Sequence, residues 1–427
     1  MSPGPEIARE PSDGVPPLPV QLADVEAAVE RIRGQVQRSP VTYSELFSKR
    51  CGSKVHFKLE NLQMTGSYKE RGALNFILQL TPEQRARGVV TASAGNHAQG
   101  LAYHATRLGL AATIVMPLGT PLIKITRTRR FGGNVILHGN DLRECYARAQ
   151  EVCHEQGATF VPPFDHPHIV AGQGTVGMEL LEQLPYLDAV VVPVGGGGLV
   201  AGVGVAIKEV NPRIRVIGVE ALAFPAMKAA LDRGELVDVP PGRTIADGIA
   251  VWRAGTVPFQ VAQRYVDEVV TVDETAIASA VLELLENEKI VAEGAGATPV
   301  AALLTALPGL KNKRVCCIIS GGNIDVNVLS VIIERGLVAQ GRRIQLAVTV
   351  PDRPGSLSDL TRRIAEHRAN VLQIHHDRAF SEAPIGDTVV EVMLETRGMD
   401  HAIEIVGALE QGGFSVKHSL NLTTAGG

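Results

Sequence analysis

The 427-residue chain carries 41 Lys and Arg against 45 Asp and Glu, a formal charge of −4, with 45% hydrophobic and 20% charged residues. That length exceeds one ordinary core and predicts two or three domains of globular composition. The near balance of charge excludes whole-chain attraction to nucleic acid or to an acidic membrane.

Residues 1–19, rich in Pro, Glu, Asp and Gly, lack a cationic segment followed by an apolar one and read as a disordered lead-in. From Val20 onward, short β-branched runs alternate with longer helical ones. Val55–Leu59, Gly88–Thr91, Ala112–Met116, Asn134–Leu137, Ala189–Val194, Arg215–Glu220, Glu268–Val272 and Arg314–Ile319 read as strands. Asn96–Arg107, Leu142–Glu155, Gly198–Val210 and Asp273–Glu288 read as helices between them. Strands apolar on both faces and separated by helices predict buried, mainly parallel sheets in an α/β domain over 20–336, with a smaller lobe inserted at about 88–161. The basic run Lys124, Arg127, Arg129 and Arg130 reads as a solvated helix face. No stretch approaches ~18 apolar residues, so no membrane span is expected. Cys51, Cys145, Cys153, Cys316 and Cys317 form no C-x-x-C, which argues against a disulfide framework and a zinc site and for a reducing, cytoplasmic setting.

Three glycine turns carry the chemistry. Lys69 follows the turn Met64-Thr65-Gly66 and opens a helical pattern. A lone S-x-K is ordinarily a surface lysine, but at a helix start its charge is disfavoured and its amine made nucleophilic. Gly195, Gly196, Gly197 and Gly198, with Leu199, follow an apolar strand and open a helix, an anion cradle of bare backbone N–H groups. Gly196-x-Gly198-x-x-Ala201 with Glu220 beyond also fits a dinucleotide fingerprint, yet that reading leaves Lys69 and the Asn96 turn unexplained. Ser93-Ala94-Gly95-Asn96-His97 offers backbone donors and a hydroxyl for a substrate carboxylate, and Asn96 offers a donor for a phenolate oxygen. Ser320, in the turn Ser320-Gly321-Gly322-Asn323, is suited to a pyridine nitrogen. A hydroxyl there leaves that nitrogen largely neutral, which favours expulsion of a β-leaving group over transamination. Together these parts predict pyridoxal 5'-phosphate held by Lys69 as a Schiff base.

Beyond Leu337 the pattern changes. Ile344–Val350, Leu357–Ala369 (capped by Ser356 or Asp359), Val371–His375, Thr388–Leu394, Asp400–Leu409 and Phe414–Leu420 give the order βαββαβ, a ferredoxin-like α+β domain over 342–427. His375 and His376 are strand neighbours facing opposite ways and make no ligand pair.

Residues 20 to 336 resemble the threonine ammonia-lyase (threonine dehydratase) family of fold-type II pyridoxal phosphate enzymes. The matching segments are Lys58-Leu59-Glu60-Asn61, Gly66 to Ala73, Ala92 to Gly100, Val192-Pro193-Val194 with the tetraglycine, Thr244 to Gly248, Glu293 to Gly296 and Ser320 to Asn323. The resemblance implies Lys69 as Schiff base and proton shuttle. It also implies Asn96 on the cofactor oxygen, Gly195 to Leu199 on the phosphate, and Ser320 on the ring nitrogen. Ser93, Ala94, Gly95 and His97 fall on the substrate side. Serine racemases are similar but carry a serine where this chain has Ala94, so racemisation is expected to be weak. Their divalent-cation site pairs a Glu with an Asp; here Glu220 meets Ala226, and no metal is expected. Tyr68 replaces a more usual phenylalanine. The C-terminal segment resembles an ACT domain, which implies an amino-acid effector, isoleucine or valine, received near Asp352, Pro354, Gly355 and Ser356. A homotetramer is expected by resemblance. The expected reaction is deamination of L-threonine, and less well L-serine. A dehydratase of serine or 3-hydroxyaspartate and a non-catalytic amino-acid sensor are the alternatives.

Overall fold

The computed structural model describes residues 18–377 and 383–418. Most of the expected lead-in and the last two residues of the expected strand Phe414–Leu420 lie outside the described residues. Contacts divide the chain into two units, one ending at Asp325 and one starting at Val326. This is earlier than the boundary expected at 336, because the helix Val326–Ala339 packs on the first strand of the second unit.

In the first unit the described strands are β1 (Val41–Ser44), β2 (Lys54–Leu59), β3 (Val89–Ala92), β4 (Ala112–Met116), β5 (Asn134–Leu137), β6 (Thr159–Phe160), β7 (Ala189–Pro193), β8 (Arg215–Ala221), β9 (Glu268–Val272) and β10 (Arg314–Ile319). One sheet has the order β1-β2-β10-β7-β8-β9, parallel except for β1; the other, β5-β4-β3-β6, is parallel throughout. All five residues of β4 and of β7 are buried, as strands covered on both faces must be. β1 and β6 escape the periodicity reading because four and two residues are too short to show a repeat. The expected helix to Glu288 is α-helical only to Glu283 and closes with the wider turn Leu284–Glu288.

Small residues let the covering helices touch backbone to backbone. A Cβ on Gly172, in the helix Pro167–Gln183, would lie 2.6 Å from the Cα of Gly72, in the helix Lys69–Ile77. One on Gly202, in the helix Gly198–Val210, would lie 2.3 Å from the carbonyl oxygen of Val170. Gly72, Gly172 and Gly202 thus serve close helix contact.

The second unit holds β11 (Arg343–Pro351), β12 (Asn370–Asp377), β13 (Asp387–Glu395) and β14 (Ser415–His418) in an antiparallel sheet of order β12-β13-β11-β14. β11 and β13 alternate buried and outward residues, and Leu346, Val348, Val390 and Val392 pack with Leu360, Ile364, Ile405 and Leu409 of the helices Ser356–Glu366 and Met399–Gln411. The expected cap by Ser356 or Asp359 is corrected. Gly355 occupies the cap position at φ +97°, and Asp359 pairs instead with Arg362 and Arg363. The helix stops at Glu366 rather than Ala369, with Arg368 at φ 59° beyond it.

Candidate active site

Adjacent parallel strands deliver their carboxyl-end loops side by side, where α/β sheets place ligands. β2 pairs with β10, so the loop before Lys69 meets the turn after Ile319. The Tyr68 N–H donates to the Ser320 carbonyl at 3.1 Å, the Gly322 N–H donates to the Gly66 carbonyl at 2.9 Å, and Ser67 bridges Gly321. Behind this junction Arg71 is fully buried. It donates to Glu60 and Glu179, and Glu179 also accepts from the buried Lys58. Such a network holds the start of the lysine helix because removing one partner strands a buried charge.

Lys69 opens onto a cavity of about 290 Å³ lined also by Ser93 to His97, Lys124, Asp247, Glu293, Ser320 and Asn323. Its Nζ donates to the Pro163 carbonyl at 2.9 Å. Desolvation pulls its pKa down to about 8, opposed by the nearby Glu293. The hydroxyl of Tyr68 is pushed upward by burial and then by Glu293.

The loop after β3 lines the opposite wall. Asn96 Nδ2 donates to Glu293 Oε1 at 2.7 Å, and Asn96 Oδ1 accepts from Asn323 Nδ2 at 2.8 Å. Burial raises Glu293 to about 7, with Asp247 adding to the rise and Asn96, Lys124 and Lys69 opposing it. His97 sets its Nε2 3.1 Å from the Val161 carbonyl, and burial followed by the Lys69 charge lowers it to about 3, so the ring is neutral.

Gly195 to Leu199 lie beside the cavity rather than on its lining. A Cβ on Gly195 would meet Ile249 Cα at 2.9 Å and one on Gly196 the Phe164 ring at 2.4 Å; Phe164 and Ile249 themselves line the cavity. Gly197 takes φ +91° and starts the helix, a turn that side chains resist. This bare-backbone turn, the Lys69 amine, the Ser320 hydroxyl and the Asn96 amide are the donors and nucleophile that a phosphorylated pyridine aldehyde requires, so the residues fit pyridoxal phosphate.

Elsewhere, Glu220 accepts from the N–H groups of Met227 at 2.7 Å and Lys228 at 2.9 Å, which commits its carboxyl to the start of the helix Ala226–Arg233. Burial raises its pKa to about 8. Among the described residues no group of three or more His, Cys, Asp or Glu is arranged to hold a metal ion. None of the helices formed by those residues is long and apolar enough to cross a membrane. Asp352, Pro354, Gly355 and Ser356 gather at the turn between β11 and its helix, with Asp352, Pro354 and Gly355 exposed.

The solvated reading of the basic run needs correction. Lys124 pairs with Asp247 and lines the cavity, and Arg127 donates to Asn323 Oδ1 at 3.4 Å, while Arg129 and Arg130 are exposed. Glu293 was visible only as part of a motif. A glutamate just before a helix, where Ser, Thr, Asp or Asn is usual, was the available signal that its side chain is used elsewhere.

Residues 32–321 match the family model described as pyridoxal-phosphate dependent enzyme, and residues 344–411 match the ACT domain. The chain is 49% identical over 398 residues to the L-threonine ammonia-lyase of Thermotoga maritima, which covers 93% of this chain and 99% of that one. Maize serine racemase resembles it with a TM-score of 0.71 at 34% identity, covering 75% of this chain and 98% of that one. The processed form of threonine deaminase isoform 2 from Solanum lycopersicum gives 0.70 at 37% identity, covering 73% and 91%.

Proposed function

Because the chain belongs to the pyridoxal-phosphate dependent enzymes, and within them to the threonine ammonia-lyases, we propose that it converts L-threonine to 2-oxobutanoate and ammonia, and L-serine less readily to pyruvate and ammonia. The observation that carries this reading is one cavity joining a lysine amine of pKa about 8 to the Ser93–His97 turn and Ser320. When bound, pyridoxal phosphate supplies the conjugated aldehyde that draws electrons from the substrate's Cα–H bond.

Lys69 would hold that group covalently, and its Nζ, when free, would accept the substrate's Cα proton. Its lowered pKa keeps a useful fraction of the amine neutral near pH 7 to 8. Ser93 and the backbone of Ala94 and Gly95 receive the substrate carboxylate. Ala94 offers no second base on the opposite face, which disfavours racemisation. With the group bound, Asn96 would donate to its ring oxygen, Ser320 would face its ring nitrogen, and Gly195 to Leu199 would cradle its phosphate. The wider proposal includes a homotetramer, supported by the family resemblance, and a cytoplasmic setting, supported by five free cysteines. Isoleucine or valine acts at the ACT domain through the turn Asp352 to Ser356.

Lys69→Ala is expected to abolish keto-acid release and the yellow absorption of the lysine-bound cofactor. Borohydride reduction followed by peptide mapping should place the label on Lys69. A variant of full rate would overturn the assignment.

A further inference from the structure

We infer that Asn323 and Glu293 are positioning residues that dictate which edge of the Asn96 amide faces the cofactor, an inference that rests on the proposed contact between Asn96 and the cofactor oxygen. The orientation is set from a group that cannot turn. The Thr65 carbonyl only accepts, and Asn323 Nδ2 lies 2.7 Å from it. The same nitrogen lies 2.8 Å from Asn96 Oδ1, so both hydrogens of Asn323 are used and its own oxygen is left to receive Arg127. Asn96 must therefore turn its oxygen toward Asn323 and its NH₂ toward Glu293, which accepts one hydrogen at 2.7 Å. The second hydrogen of that NH₂ remains for the cofactor.

Glu293 is suited to this task in either protonation state, since a carboxylic acid keeps one acceptor oxygen. It is 4% exposed, and its neighbours Asp247, Lys124 and Lys69 supply charge of both signs around it. The geometry also accounts for Gly66. A Cβ there would lie 2.6 Å from Asn323 Oδ1 and displace the first amide of the series.

The test compares Asn96→Ala, Asn323→Asp, Glu293→Ala and Glu293→Gln in the full chain. The readouts are the cofactor Kd by absorbance titration, the absorption maximum of the bound cofactor, and kcat and KM for threonine. Melting of the cofactor-free protein checks that each variant folds. Asn323→Asp cannot donate to either oxygen and should invert Asn96, raising the cofactor Kd and lowering kcat by about tenfold each, the scale of one lost charge-assisted hydrogen bond. Glu293→Ala leaves Asn96 held by its oxygen but removes the acceptor that fixes its NH₂, and should raise the Kd and lower kcat on a similar scale, whereas Glu293→Gln, which keeps an acceptor, should stay within about threefold of the parent. If Asn323→Asp does not fold, the two Glu293 variants carry the test. Wild-type Kd and spectrum in both Asn323→Asp and Glu293→Ala, with Asn96→Ala impaired, would overturn the inference alone. Equal damage from Glu293→Gln and Glu293→Ala would overturn it too, since charge rather than orientation would then matter. An unaffected Asn96→Ala would remove the underlying cofactor contact itself.

Discussion

At position 69 the burial that makes the amine useful also sets a pH limit. Lowering a lysine pKa from 10.5 to about 8 means that the fold penalises the ammonium form, with Glu293 returning part of the loss. The cofactor-free protein should therefore capture pyridoxal phosphate at a rate that rises about tenfold per unit below pH 8 and levels above it, because only the neutral amine attacks. Stopped-flow absorbance checks this, and a plateau reached only near pH 10 would show an amine still open to water. His97 illustrates the opposite outcome. Its neutral ring follows from burial, and at this scale the sequence could offer it as a candidate substrate residue without showing that its Nε2 is taken by Val161.

Among the elements, the contacts that hold the lysine helix and the glycine turn in register are made by backbone rather than by large side chains. Gly202→Ala would drive a methyl to within 2.3 Å of the Val170 carbonyl and 2.5 Å of the Gly174 nitrogen. Neither atom can rotate away, so the variant should lose roughly 1–3 kcal/mol and melt several degrees lower. Gly407, in the helix Met399–Gln411 of the second unit, has nothing within 4 Å of its missing Cβ. Gly407→Ala should instead gain roughly 0.4–1 kcal/mol by reducing the freedom of the unfolded chain. Thermal melting of the pair separates contact from propensity. Helices such as Asn96–Arg107 and Gly198–Val210 were legible to the residue from their glycine turns and apolar rows. The cap of Ser356–Glu366 was not, because an Asp three residues inside a helix finds its arginine partners only once the turn has formed.

For the whole molecule, the two units define the regulatory prediction. Titrating isoleucine or valine should change the threonine rate of the full chain and leave a chain ending at Gly341 indifferent; superimposable curves would remove the ACT domain as receiver. What the residues determined unaided was the pair of folds, and with them a candidate for the anchor. Valine-rich runs between helices demand covered parallel sheets, the βαββαβ order demands an antiparallel one, and a lysine among three glycine turns has few other uses. What only packing decided was the company that anchor keeps. Lys124, Pro163, Glu293 and Asn323 come from points spread over 200 residues of chain, as the cavity lining records. Their meeting depends on which strand lies beside which, and their pKa values and amide orientations depend on atoms that local sequence does not bring near.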